Sequence, residues 1–117
     1  MSLELLKIVE RFSDIVVSIS IVRFEQAGSS SRLRARAELS DGSRLFIRET
    51  IIGGMSRKYS YHWQNQSNEM IMRWDNAPDW DIITFPHHKH VGMEKNVDAS
   101  YERTLEQVLK FISQKIR

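Results

Sequence analysis

RLRARAELSDGSRLFIRETII, residues 32–52, is the stretch that decides the fold. In its first half Leu33, Ala35, Ala37 and Leu39 alternate with Arg32, Arg34, Arg36 and Glu38. A period of two sends successive side chains to opposite faces of a strand, so one face is apolar and the other cationic. Asp41-Gly42 sits between the two halves, and a glycine there accepts the positive φ of a tight hairpin turn. The second half, SRLFIRETII (43–52), returns with Leu45 and Ile47 to one side and Arg44, Phe46 and Arg48 to the other.

Outward from this hairpin the pattern continues. Gly53-Gly54 marks a turn, and RKYSYHWQ (57–64) is a strand with Tyr59, Tyr61 and Trp63 opposite Ser60, His62 and Gln64. After a polar turn at 65–68, EMIMRWD (69–75) gives Met70, Met72 and Trp74 to the core and Ile71, Arg73 and Asp75 to the other face. Before the hairpin, Gly28 and Ser29 to Ser31 form a turn. DIVVSISIVRFE (14–25) is a strand whose Val17, Ile19 and Ile21 share the buried face. SLELLKIVERF (2–12) is a helix capped by Ser2, with Leu5, Ile8, Val9 and Phe12 as its apolar stripe. Residues 76–97 read as irregular, broken by Pro78 and Pro86, with 83–85 as a short strand. From Ser100 a second helix buries Tyr101, Leu105, Val108, Ile112 and Ile116, and turns Glu102, Glu106, Gln107 and Lys110 to water.

The fold class is therefore α+β: one antiparallel sheet of about five strands, with an N-terminal and a C-terminal helix packed on one face. One domain over residues 1–117 is expected from the length and the lack of an internal repeat. The other face then collects Arg34, Arg36, Arg48, His62, Arg73 and Asp75.

Composition narrows the function. The chain has no cysteine, which excludes disulfides, zinc ribbons and thiol catalysis. Its opening segment has no apolar run long enough for a leader or a membrane span, so a cytoplasmic protein without membrane contact is expected. The formal net charge is +2, but the arginines crowd into 32–48 while Glu69, Asp75, Asp79 and Asp81 crowd into 68–81. This asymmetry fits either solvated charge or a phosphate-binding patch beside an acidic loop.

Of the four histidines, three stand in FPHHKH (85–90). Alternation after Pro86 puts His88 and His90 on one side and His87 and Lys89 on the other. A pair of imidazoles suits phosphodiester cleavage, one taking the proton of a 2′-hydroxyl and the other protonating the leaving oxygen. RNA brings its own nucleophile, so no metal and no cofactor are expected. Lys89, Arg48 and Arg73 would stabilise the phosphorane, and Asp75 or His62 would support an imidazole. Two alternatives stand beside this reading. A His-x-His chelate with His62 or Asp75 as third ligand would make a metal-dependent hydrolase. A His-rich loop whose rings only bond backbone carbonyls would leave a non-catalytic binding or inhibitory module on the same basic face. Tyr59, Tyr61, Trp63 and Trp74 fit either base stacking or the core.

YSYHWQ (59–64), RWDNAP (73–78) and FPHHKH (85–90), in this order, resemble the TumE-like family of prokaryotic toxins. LSDGSRLFIRE (39–49) and LEQVLKFI (105–112) are similar to it as well, so the resemblance runs from Arg36 to Ile112. It implies growth inhibition by a toxin paired with a helix-turn-helix antitoxin; RNA as the target is expected from the histidines and arginines above, and an oligomer is left open. It carries over Arg48, Tyr59, Tyr61, His62, Arg73, Asp75, Asn76, His87, His88 and His90 as motif positions. Asp79 and Trp80 stand where the family pattern has a pair of histidines.

Overall fold

The computed structural model describes residues 3–116; the cap assigned to Ser2 lies outside them. Helix α1 (Leu3–Arg11) leads into strands β1 (Val16–Ala27), β2 (Ser30–Leu39), β3 (Arg44–Ile52), β4 (Ser56–Gln64) and β5 (Met70–Asp75). Two short strands follow, β6 (His88–Val91) and β7 (Val97–Ala99), and helix α2 (Leu105–Ile116) completes the order. All seven strands form one antiparallel sheet in the order β1-β2-β3-β4-β5-β6-β7, each paired with its neighbour in sequence.

The central hairpin folds as its alternation dictates. Leu33, Ala35, Ala37, Leu39, Leu45 and Ile47 are all buried. Gly42 takes a φ of +85° at the turn, and Asp41 Oδ1 accepts the Ser43 N–H at 3.0 Å, which fixes the start of the return strand. Tyr59, Tyr61, Trp63 and Trp74 lie in the same core. Leu5 of α1 and Leu105, Val108, Leu109 and Ile112 of α2 close that core from one side. An Arg11–Glu106 pair at 3.0 Å links the two helices.

The strand count of about five is corrected to seven. HKHV and VDA are too short and too polar to announce themselves as strands, yet both pair fully with their neighbours. Residues 83–85, expected as a strand, are a turn. In β1 two register shifts, one between Val16 and Ser18 and one between Ile21 and Arg23, break the simple alternation. Val16 goes inward and Val17, expected in the core, is 70% exposed. A similar shift at Trp63/Gln64 puts Ile71 against the core in place of Met70.

Helix α2 begins at Leu105, not at Ser100. Thr104 Oγ1 accepts the Gln107 N–H at 3.2 Å, and Gln107 Oε1 accepts the Arg103 N–H at 2.7 Å. This reciprocal cap sets the start of the helix. Tyr101 is consequently 65% exposed. Glu102, expected in water, instead accepts the Trp74 indole N–H at 3.1 Å and pairs with Lys89 at 3.2 Å. No helix among the described residues is long and apolar enough to cross a membrane.

Candidate functional site

The open face of the sheet is ordered by register. One row across neighbouring strands runs Arg34, Arg48, Ser60, Asp75, His88. The adjacent row runs Arg36, Phe46, His62, Arg73, His90. Strands lie about 4.8 Å apart, so each row spans roughly 19 Å from its arginine to its histidine. The face forms a concavity of ≈ 1170 Å³. Arg32, Arg34, Arg48 and Lys58 make no ion pair with a described residue, whereas Arg36 and Arg44 share Glu38.

At the β5–β6 end the two rows converge on a buried cluster. His88 and His90 are each 1% exposed and Asp75 is 7% exposed. The Nε2 atoms of the two imidazoles lie 3.2 Å apart. Asp75 Oδ1 is 3.0 Å from His88 Nε2, and Oδ2 is 3.5 Å from His90 Nε2. The far nitrogens are fixed by backbone carbonyls: His88 Nδ1 is 3.0 Å from the Pro86 oxygen and His90 Nδ1 is 2.6 Å from the Glu94 oxygen. A carbonyl only accepts, so both Nδ1 atoms carry protons and both Nε2 atoms point at the carboxylate.

The rest of the surroundings hold Asp75 and the rings in place. Ala77 N–H donates to Asp75 Oδ1 at 3.0 Å. Arg73 approaches Asp75 Oδ2 with Nε at 3.3 Å. Its Nη2 donates to His90 Nε2 at 3.1 Å and to Glu94 Oε1 at 2.8 Å. Burial alone lowers the Arg73 pKa, but the hydrogen bond and charge of Glu94, with Asp75 adding to them, raise it overall. The hydrogen bond from Arg73 in turn holds Glu94 below the usual carboxylate range. Trp80 packs over the imidazoles, its ring centroid 5.7 Å from His90 and 6.3 Å from His88. His62 stands one strand away beside Gln64, whose Nε2 is 3.3 Å from His62 Nε2. Burial, then the Arg73 charge, lowers its pKa.

The structure thus brings together His88, His90, Asp75 and Arg73, with Arg34, Arg36, Arg48 and His62 on the same face. Other motif residues lie elsewhere. Lys89 faces the core side, where Nζ sits 5.4 Å above the Phe111 ring and pairs with Glu102. His87 stacks on Tyr59, with Nδ1 2.8 Å from the phenol oxygen; burial, then Arg103 and Arg57, lowers its pKa. Tyr61 donates to Glu49 and accepts from Arg57. Asn76 spends its amide on β4, accepting from Tyr59 N–H at 3.0 Å and donating to the Arg57 carbonyl at 2.7 Å. Glu94 and the edge-on contact of Trp80 with the His90 imidazole have no counterpart among the residues expected from the sequence. The one signal for Glu94 was Gly92-x-Glu94 between two short alternating stretches, which reads as a hairpin turn only once HKHV is accepted as a strand.

Fold and site together define a class: a one-sheet α+β protein with an arginine-lined open face ending in a buried cluster of two histidines and one carboxylate. Residues 5–116, nearly the whole chain, match the family described as Toxin TumE, and the protein belongs to that family. The match reaches well before Arg36, into α1. No curated protein and no solved structure matches the chain.

Proposed function

We propose that this protein is the toxin of a toxin–antitoxin pair and that it acts on RNA by phosphodiester cleavage at the open face of its sheet. The observation that carries this reading is the register, which lines unpaired arginines up with the Asp75–His88–His90 cluster. Arg34, Arg36 and Arg48 hold backbone phosphates, and Arg73 meets the phosphate nearest the cluster. Family membership supports the toxin role, and the reaction is argued from the residues alone.

The metal-free division of labour expected from the sequence does not suit the closed arrangement. An acid and a base must reach opposite sides of a phosphorus, and two Nε2 atoms 3.2 Å apart under Trp80 cannot do so together. The cluster instead works as one centre. Growth after induction of the chain, beside a His88→Ala/His90→Ala variant at matched soluble levels, tests the role. Arrest by the parent alone, with RNA fragmenting in purified mixtures, is expected. Intact RNA with growth arrest would leave the non-catalytic binding module as the better reading.

The antitoxin, expected to be of the helix-turn-helix kind, would dock on the Arg32–Arg36 row, where an acidic segment would meet Arg32 and Arg34, which make no ion pair with a described residue, beside Arg36, which pairs with Glu38. Complex formation unchanged in an Arg32/Arg34/Arg36→Glu variant would refute that placement.

A further inference from the structure

We propose that Asp75, His88 and His90 form a binding site for a divalent transition metal of the Zn²⁺ or Fe²⁺ kind. Both Nδ1–H groups are committed to the Pro86 and Glu94 carbonyls. The two Nε2 atoms and the Asp75 carboxylate then face one another: His88 Nε2 is 3.0 Å from Oδ1 and 3.2 Å from His90 Nε2, while His90 Nε2 is 3.5 Å from Oδ2 and accepts from Arg73 at 3.1 Å. Arg73 supplies positive charge along one edge, at His90 Nε2 and Asp75 Oδ2, but the two nitrogens and Asp75 Oδ1, almost fully buried, still repel unless something positive enters between them.

One proton on His88 Nε2 answers part of this. It would bond Asp75 Oδ1 and make a buried imidazolium, leaving His90 to accept from Arg73. A metal ion would join all three side chains at one centre. For bonds of about 2.1 Å, neighbouring donor atoms lie about 3.0 Å apart at right angles and about 3.4 Å apart in a tetrahedron. The 3.0, 3.2 and 3.5 Å separations lie in or beside that range, the carboxylate turning Oδ1 to one ring and Oδ2 to the other. Two imidazoles and one carboxylate are the donors that zinc and non-haem iron take, and not those of magnesium or calcium. The carbonyl on each Nδ1–H is the outer support that fixes ring orientation in metal-binding histidines. The described residues hold no other group of histidine, cysteine or carboxylate donors with this convergence.

Arg73 sets the shape of the filled site. On metal entry its Nη2 gives up His90 and keeps Glu94 Oε1, now 2.8 Å away. A guanidinium then stands beside the open side of the metal, an arrangement suited to an anion bound there.

The test uses the full chain, stripped with a chelator and titrated with Co²⁺ and then Zn²⁺. Expected are one equivalent per chain, the visible absorption of nitrogen-ligated Co²⁺, displacement by Zn²⁺, and quenching of Trp80 emission by Co²⁺. His88→Gln or His90→Gln should weaken binding by more than about a hundredfold, because even loss of an outer support costs 10–100-fold. His62→Gln and His87→Gln should bind as the parent does. If the ligand variants fail to fold, ¹⁵N spectra of the parent decide. Zn²⁺ should then move the Nε2 signals of two histidines while their Nδ1–H protons persist. No uptake at micromolar metal, shifts at His62 or His87 instead, or an Nε2–H on His88 that survives Zn²⁺ would each overturn the site. None of these readouts involves RNA. Zn²⁺ uptake with intact RNA therefore counts only against cleavage, and cleavage without uptake counts only against the metal.

Discussion

Two carbonyl oxygens, those of Pro86 and Glu94, determine what His88 and His90 can offer, because they fix which ring nitrogen bears the proton. Alternation placed these two histidines on one side and Lys89 on the other, and the structure agrees. What alternation could not supply was Trp80 and Glu94, which reach the rings only through loops that fold back. Arg73 is the residue whose change is most informative. Arg73→Gln removes a competing cation, so it should bind Co²⁺ at least as tightly as the parent while binding RNA more weakly, as read by paired titrations. A second prediction concerns the buried phenols. Burial pushes Tyr59 up to about 12 from an ordinary 10.0, and burial with the Glu49 charge pushes Tyr61 up as well. The neutral form is the one the fold favours. The stability these phenols contribute is therefore complete below pH 10 and is lost as pH rises through about 12. Thermal melts should fall over that window, and Tyr59→Phe/Tyr61→Phe should flatten the fall.

Among the elements, β6 and β7 are where the sequence was hardest to read. Strands of three and four residues carry no measurable period, and they persist here because each borrows a ladder from a longer neighbour. A single hydroxyl ties this region down. Thr84 Oγ1 donates to the His87 carbonyl at 2.6 Å and accepts the Ser100 N–H at 2.9 Å, joining the start of β6 to the end of β7. Thr84→Val keeps the shape and orphans both partners, so a loss of about 1–3 kcal/mol is expected in denaturant melts. At the other boundary, Thr104→Ala removes the cap of α2 and should cost about 1 kcal/mol. The start of that helix was misread because Tyr101 fits its apolar spacing, and only the Thr104–Gln107 exchange shows where the backbone turns. The long strands, by contrast, were legible to within a few residues, since Leu33 to Leu39 and Tyr59 to Trp63 alternate without interruption.

For the molecule as a whole, the two-faced sheet was readable from residues 32–52, and so was the charge of its open side. Binding to a single-stranded RNA should fall steeply with salt. The double change Arg34→Gln/Arg48→Gln should lower the log–log slope by about 1.4, since each phosphate contact contributes about 0.7. A slope unchanged by that variant would move the RNA off this face. The neighbour-to-neighbour strand order has a further consequence in time. Every strand closes on the one made just before it, so loop closure is cheap throughout and folding is expected to be fast for a β-rich chain. Synthesis runs from the N-terminus, so the arginine rows of β2 and β3 can assemble while the rest is still being made. Asp75 then waits for His88 and His90, which arrive two turns of chain later. The cationic sheet is thus made first, and the buried Asp75–His88–His90 corner closes only in the last third of the chain.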